Sequence, residues 1–402
     1  MTIEIGALEQ VYAKIETTYA ASAGSGGESL SATDGIRHLE LSLTAKNNRE
    51  PSPEKRGTPD VQRSLPRRIS QAFNLSSIMW EPSGTLGTIS NVGKFLEAGF
   101  GSKHAITAGL ASTVSASPTP TTTTFSLVST TGLQAGDLVI VTTSNGREVG
   151  KVLSVVSLAV TLTTALSAAP ETGAAVVSGI TYTLTNNITQ SLAIYKYLNA
   201  GGFAQAVYGA VVDQIQATFD GTKEVLLAIQ GPAGRYADDN TVSNSPTEAP
   251  PQTKPGSHTT VGNPASGMVG TFLLDGTVVP VINVQISLQN ALELRNKEVG
   301  TRYASGIAGR TAMRAVPVKA QIYLEASNLL AMQKAVRSGV TAVTGVLRLV
   351  IGDTNGSMLA AFCPAVQFEI PEIGNEVGPK ELTLDGMAYA SSGNDQVSFM
   401  EA

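Results

Sequence analysis

An internal repeat limits the folds open to this chain more than any other feature of its sequence. The segment LELSLTAKNNREPSPEKRGT at residues 39–58 has a counterpart, VQISLQNALELRNKEVGT, at residues 284–301. In each, a short strand of alternating apolar residues leads into a charged stretch that closes on Gly-Thr. A fold that suits one of these units must therefore accommodate two of them in a single chain.

The same order of elements continues downstream in both halves. A second alternating strand follows, RRISQAFNLSS in the first copy and VPVKAQIYLEAS in the second. Next comes a predicted short amphipathic helix, TISNVGKFLEAGFGS with a cap at Ser90 or Asn91, and its counterpart at residues 327–340. Both copies finish with two alternating strands, at residues 208–237 and 363–391. Four elements in one order predict a duplicated domain.

Composition favours a mainly β fold for these domains. At 402 residues and 42% apolar content, the chain can bury a large core in two or three domains. Its forty glycines and many Thr, Val and Ser residues favour strands joined by turns over helices. We therefore predict two tandem domains of the β-sandwich or barrel type, each with one short flanking helix.

Two segments interrupt the repeat. Residues 108–180 carry five charges and about five short Thr- and Val-rich strands, which predicts a small β-barrel or β-sandwich inserted in the first copy, removable without breaking the rest. Residues 238–264 are rich in Pro, Ser, Thr and Asn, and are predicted to be a linker or an extended arm along a neighbour. The first domain is then 1–107 with 181–237, and the second is 265–402.

The sequence offers little catalytic or metal-binding chemistry. Cys363 lies among apolar neighbours, and His38, His104 and His258 are far apart, each without a second ligand at metal-site spacing. The stretch GTLGTISNVGKF lacks the spacing of a phosphate-binding loop, and Lys94 is not followed by Ser or Thr. We predict a protein that is not an enzyme and has no catalytic residues, metal site or cofactor.

Charge and the amino-terminal sequence restrict the partners and the location. A net charge of −5 and a pI near 5.4 argue against a protein that grips nucleic acid by neutralising phosphates. The start MTIEIGALEQVYAKIE lacks the basic and apolar regions of a signal peptide, and we find no apolar run of membrane-spanning length. We expect a soluble protein made in the cytosol, without a membrane partner.

Several of these segments, in this order, resemble the major tail tube protein of long-tailed bacteriophages. They are the hairpin NNREPSPEKRGT, the helix GKFLEAGFGS, the inserted GLQAGDLVIV…VTLTTALSAAPETGAAV and the strands ITYTLTN…SLAIYKYL. The resemblance covers most of residues 35–237 and, through the duplication, the carboxy-terminal half. It implies a β-sandwich with one helix, subunits joined edge to edge around a β-lined lumen, and a hairpin that reaches the adjacent ring.

The second copy departs from the simplest pattern of that family, which has one tube domain per chain. If six tube domains make a ring, two per chain make a trimer with pseudo-sixfold symmetry, which we favour over a hexamer. The resemblance further implies a virion tail protein made in the host cytoplasm. Its partners would be other copies of the chain, the tape-measure protein and the tail terminator. DNA would pass through a neutral-to-acidic lumen without specific binding.

The repeated charged stretches are the candidate contacts between stacked rings. Their mixed signs suit a complementary protein contact better than a phosphate-binding patch, although a solvated loop would have the same composition. Two alternative functions remain. The chain could be a surface or adhesin-type binding protein, with residues 108–180 as a sugar-binding domain, or another ring-forming tail component such as a terminator or sheath. The candidate contact residues are Arg49, Glu50, Glu54, Lys55, Arg56, Glu293, Arg295, Lys297 and Glu298.

Overall fold

Antiparallel strands dominate the computed structural model, which confirms the mainly β prediction. Among the residues that it describes there is one α-helix, α1 (Gly93–Phe100). A single turn of 3-10 helix, Ala32–Asp34, precedes the second strand. The structure describes residues 9–20, 28–51, 64–198, 203–238, 253–255, 265–299, 303–323, 345–369 and 381–402.

The strands fall into two sets and an insertion. The first set is β1 (Gln10–Ile15), β2 (Gly35–Ile36), β3 (His38–Pro51), β4 (Ser64–Met79), β11 (Leu192–Leu198), β12 (Phe203–Ala210), β13 (Gln214–Asp220), β14 (Leu226–Ala233) and β15 (Arg235–Asp238). The insertion is β5 (Gly101–Thr113), β6 (Thr124–Ser126), β7 (Leu138–Thr143), β8 (Gly146–Val156), β9 (Ala159–Leu162) and β10 (Ala175–Leu184). The second set, with a small hairpin formed by its fourth and fifth strands, is β16 (Gly270–Leu274), β17 (Thr277–Val278), β18 (Val281–Gln289), β19 (Leu292–Leu294), β20 (Ile307–Arg310), β21 (Pro317–Tyr323), β22 (Gly345–Ile351), β23 (Leu359–Phe368), β24 (Glu381–Ala388) and β25 (Ser398–Glu401).

Eight antiparallel strands form a continuous layer, here called the long sheet, in the order β3-β4-β14-β13-β18-β21-β24-β23. Alternation explains why its strands bury only one face: in β13, Ile215, Ala217 and Phe219 are buried, whereas the residues between them are half exposed. β4, which contains RRISQAFNLSS, behaves in the same way, with Phe73 and Leu75 buried as the sequence predicts.

The two strand sets pair in the same order. The first set contributes β3-β4-β14-β13 to the long sheet, and the second contributes β18-β21-β24-β23. A second layer is β2-β1-β11-β12-β15 in the first set, and β17-β16-β22-β23-β25 has the same order in the second set. β23 belongs to both layers of the second set, so it occupies the positions that two separate strands, β12 and β13, occupy in the first set. One hydrophobic core lies beneath both sets, and Leu75, Ile229, Val284 and Leu384 all belong to it.

The helix begins later than its sequence predicts. Its N-cap is Val92, and neither Ser90 nor Asn91 caps it, since Ser90 donates instead to the carboxylate of Glu401 and Asn91 Nδ2 to the Met79 carbonyl. The helix ends at Gly101, whose left-handed backbone (φ 84°) suits a residue without a side chain. The helix predicted at residues 327–340 lies outside the described residues.

The insertion is continuous with the strands on either side of it. The boundaries predicted at 108 and 180 fall inside β5 and β10, which pair with each other along their length. A small core of its own, including Phe125 and Val160, fills the insertion. Its outer strands pack on the second set through a further apolar cluster that includes Ile140 and Phe362. Most of the linker predicted at residues 238–264 lies outside the described residues.

The last strand of the second set also joins the insertion. β25 pairs with β10 on one side, at Ile180 opposite Glu401, and with β23 on the other. Gly179 makes this approach possible, because a Cβ there would lie 2.2 Å from the Glu401 carbonyl oxygen. The second set is therefore joined to the first set through β13–β18 in the long sheet and to the insertion through β10–β25.

Candidate functional surface

One face of the long sheet is lined by uncharged polar side chains, and it is called the polar face below. The facing positions on adjacent strands are in register, so that Gln214 lies opposite both Gln230 and Gln289, and Thr218 lies opposite Gln285. The opposite face packs into the core. The polar face carries exposed or half-exposed Ser42, Thr44, Asn74, Gln214, Gln216, Thr218, Gln230, Asn283, Gln285, Gln289, Gln321, Gln367 and Thr383.

The charged side chains described on the polar face are mostly acidic. Asp220, Glu369 and Glu381 lie at the ends of their strands, and hydrogen bonds from Thr222 lower the pKa of Asp220. Lys319 lies on this face and forms a 3.0 Å ion pair with Asp385. Since that lysine is offset by its partner, the described part of the polar face is neutral to acidic.

The long sheet ends in two open edges within the described part of the chain. β3 pairs with β4 alone. At the other end, β22 pairs with β23 as far as Val366, and the residues after it pair only with β24. An open strand edge presents unpaired N–H and C=O groups and is a template for another strand.

Apolar side chains at the two open edges are less buried than those at the internal junction. Ile215 and Leu288 face each other across β13–β18 and are 1% and 2% exposed. Leu43 at the β3 edge and Phe368 at the β23 edge are only partly buried against the rim of the same core. The edges therefore retain apolar surface that the internal junction covers.

The first charged stretch extends from the open β3 edge. The pairing of β4 with β14 stops at Gln71, but β3 and β4 continue together to Pro51 opposite Ser64. A two-stranded ribbon thus runs beyond the long sheet. The backbone of Arg49 lies opposite Pro66 and that of Glu50 opposite Leu65 in this ribbon, whereas Glu54, Lys55 and Arg56 lie outside the described residues.

The second charged stretch forms ion pairs within itself. Lys297 Nζ lies 2.6 Å from Glu293 Oε1, and Arg295 pairs with Glu298, which also accepts a 2.6 Å hydrogen bond from Ser305. The pairs are exposed, and the Lys297 side chain is 82% accessible. They lie beside the β19–β20 hairpin, which occupies the same place after β18 that the ribbon occupies after β3. The structure thus brings the four residues of this stretch together.

Cys363 and Glu401 are buried titratable groups that lie away from the polar face. Burial raises the pKa of the Cys363 thiol to about 12, which keeps it protonated and unreactive. Burial also raises the pKa of Glu401 on β25. That carboxylate accepts hydrogen bonds from Trp80 Nε1 at 2.9 Å, Ser90 N at 3.1 Å and Tyr182 Oη at 3.2 Å. Glu401 therefore fixes β25 to the first set and to β10, which is a structural role.

No group of three or more His, Cys, Asp or Glu side chains in the described ranges is placed to hold a metal ion. Within the same ranges, no helix is both long enough and apolar enough to span a membrane. Comparison with known proteins finds no matching family model and no matching curated protein. The functional interpretation therefore rests on the polar face, the two open edges and the charged stretches.

Sequence reasoning identified the charged stretches but missed the polar face. Its signal is visible in DQIQATF and NVQISLQ, where Gln, Asn, Ser or Thr alternates with apolar residues. The alternation indicates a half-buried strand, but it does not reveal which strands lie side by side. Only the pairing of β13 with β18 gathers these residues onto one continuous surface.

Proposed function

We propose that this chain is a structural protein that assembles into stacked rings and forms the tail tube of a long-tailed bacteriophage. One observation carries the proposal: the same strand order occurs twice, and the two sets are already joined edge to edge through β13 and β18. The strands that correspond to these two, β23 and β3, are the ones that end the long sheet. A chain of this kind can repeat its internal junction with its neighbours.

A head-to-tail contact of this type gives a ring when the rotation between subunits closes. Because each chain holds two equivalent strand sets, three chains give a ring with pseudo-sixfold symmetry, which we favour over a ring of six chains. Closure pairs every open edge and so removes the surface on which uncontrolled strand addition would begin.

The polar face would line the lumen of this ring. The opposite face of the long sheet packs into the core beneath the second layer, and the insertion packs on the second set through the cluster that includes Ile140 and Phe362. Both would therefore lie on the outside of the ring. In the described residues this surface consists of Gln, Asn, Ser and Thr with few, mostly acidic charges, and it offers no cluster of cations to phosphates there. DNA would therefore pass along it without specific binding, as a conduit for ejection into the host cell requires.

Contacts between stacked rings are assigned to the two charged stretches. The ribbon that continues β3 and β4 beyond the long sheet has the reach for such a contact. Arg49 and Glu50 of this ribbon, together with Glu54, Lys55 and Arg56 that follow in the sequence, would lie against oppositely charged groups of the next ring. The stretch Glu293, Arg295, Lys297 and Glu298 would make the equivalent contact from the second set. The tape-measure protein and the tail terminator are the further partners of the tube that we propose.

Negative-stain electron microscopy of the purified protein at increasing concentration tests the proposal. We expect rings and tubes with a regular axial repeat, and a lumen wide enough for duplex DNA. Persistent monomers at all concentrations and salt conditions would contradict it. A matched measurement of DNA binding should show no retention of duplex DNA, since the part of the polar face that the structure describes has no basic patch.

A further inference from the structure

We propose that neighbouring molecules join with Leu43 of β3 directly opposite Phe368 of β23, and with Thr44 opposite Gln367. This inference rests on the proposed ring and specifies its subunit junction. It follows from treating the contact between molecules as a repeat of the β13–β18 contact within each molecule.

β23 holds the place in the second set that β13 holds in the first set. Gln230 and Met387 each lie six positions after the glutamate of a Lys-Glu pair. Gln214 pairs with Gln230, and Gln367 pairs with Met387, so that these two glutamines occupy equivalent positions. Ile215 and Phe368 follow them.

The backbone directions support this equivalence. A hydrogen bond from Gly221 N to Ile282 O (3.0 Å) lies in the unbroken register of β13 with β18, and it shows that odd-numbered residues of β13 turn their backbone groups toward β18. Ile215 is one of these odd-numbered residues.

In β23 the alternation is shifted by one residue, as the equivalence requires. Glu369 N donates to Asp385 O at 2.8 Å, and Tyr389 N donates to Ala365 O at 2.7 Å. Odd-numbered residues of β23 therefore face β24, and Phe368 turns its backbone groups toward the open edge. Phe368 is placed to pair outward as Ile215 does.

β3 holds the place in the first set that β18 holds in the second set. Ile229 of β14 lies opposite Leu75, and Gly386, its counterpart in β24, lies opposite Val318. Leu75 in turn lies opposite Leu41, and Val318 lies opposite Ile286. Leu41 therefore corresponds to Ile286, and two residues further along the strands, Leu43 corresponds to Leu288.

Since Leu288 lies opposite Ile215 within the molecule, Leu43 is expected opposite Phe368 between molecules. Both side chains are partly buried at the rim of the core, and the junction would cover them as it covers Leu288 and Ile215. Thr44 opposite Gln367 continues the polar face across the boundary without placing like charges together.

Lys196 binds the last outward-facing carbonyl of β3 before the open edge. Lys196 Nζ donates to the Leu41 carbonyl at 2.9 Å and pairs with Glu9 at 2.9 Å. Leu41 corresponds to Ile286, whose backbone faces the neighbouring strand, so Lys196 occupies an acceptor on the outward side of β3. The free backbone groups of this edge therefore start at Leu43, which agrees with the inferred pair.

Cysteine cross-linking tests the register. Thr44 and Gln367 would form a pair without mutual backbone hydrogen bonds, in which Cα atoms approach to about 4.5 Å, within the range of a disulfide. After mild oxidation, we expect the double variant Thr44→Cys with Gln367→Cys to give covalent dimers and trimers. Each single variant should remain a monomer on a denaturing gel. Native Cys363 is buried and leaves the result clear. The register control is Thr44→Cys with Glu369→Cys, which should cross-link at least tenfold less.

The outcomes separate this inference from the function on which it rests. Rings that cross-link equally well, or better, through Glu369→Cys overturn the register but leave the proposed tube standing. Absence of rings from the unmodified protein overturns both. As a second measurement, Leu43→Arg should abolish rings in the microscope, whereas Val156→Arg, at a 71% exposed position in the insertion, should assemble normally. Rings of Leu43→Arg with wild-type yield would also refute the inferred junction.

Discussion

Replacement of Arg348 is expected to destabilise the molecule, because it would leave a buried carboxylate without its cation. It lies on β22 with its side chain 2% exposed, and the fully buried carboxylate of Glu148 on β8 lies 3.8 Å from its Nη1. Its guanidinium also donates to Thr164 Oγ1 at 2.9 Å and to the Ala165 carbonyl at 2.6 Å. One cation of the second set thus holds three groups of the insertion.

Replacement of Arg348 by Met keeps an apolar stem and leaves the Glu148 carboxylate buried without its cation. Removal of one partner from a buried ion pair costs about 3–5 kcal/mol. Because Thr143 Oγ1 (2.8 Å) and Ser167 N (2.9 Å) still donate to Glu148, we expect the lower end, about 3 kcal/mol. The double variant with Glu148→Gln carries no uncompensated charge and should be more stable than Arg348→Met alone.

Urea unfolding followed by the fluorescence of Trp80, the one tryptophan of the chain, measures these free energies. The matched control is Lys319→Met, which breaks the ion pair with Asp385 on the polar face. Those two side chains are 59% and 50% exposed, so the loss should stay below about 1 kcal/mol. The reasoning is refuted if Arg348→Met loses no more than the control, or if the double variant is no more stable than the single one.

Four further results are expected. Deletion of residues 108–180 should prevent folding because it removes most of β10. A variant in which an Asn-Gly turn replaces residues 115–173 should fold, and it should bind a hydrophobic dye through the apolar cluster that the insertion normally covers. Burial raises the pKa of Glu401 above the 4.5 of an exposed carboxyl, so the free energy of unfolding should fall as pH rises above about 4.5. In urea titrations at several pH values, Glu401→Gln should flatten that slope. Gly179→Ala should lower the stability by at least about 1–3 kcal/mol and the thermal midpoint with it, because its Cβ would meet backbone. Cys363 should react with a thiol reagent only after unfolding, and labelling of the native protein would contradict its burial.

Strand character was predictable from local sequence. Val318, Ala320 and Ile322 are buried, as the alternation of VPVKAQIY predicts. Alternation reports the environment of each strand alone, because a period of two separates a buried face from an exposed one. The prediction of a mainly β chain therefore needed no knowledge of which strands pair.

The arrangement of those strands was beyond local rules. Pairing of β13 with β18 joins one strand of each set across residues 221–280, and no short-range signal in either strand specifies the other. Ser90 has the chemistry of a helix cap, yet its hydroxyl and amide donate to Glu401, a residue 311 positions away. The expectation that residues 108–180 could be removed failed to anticipate β10, since its second partner β25 gives little signal in the sequence SFME.

The position of β25 has a consequence for how the molecule forms during synthesis. Tyr182 on β10 meets Glu401 across 219 positions of sequence, so most of the chain must leave the ribosome before β10 gains that neighbour. Until then, β10 lacks its β25 neighbour, and the donors of Trp80 and Ser90 lack the Glu401 carboxylate. Loop closure over such a span is slow compared with local hairpin formation. Premature termination anywhere before β25 would therefore yield chains with an open strand edge and an unfilled interior, which are substrates for chaperones and proteases.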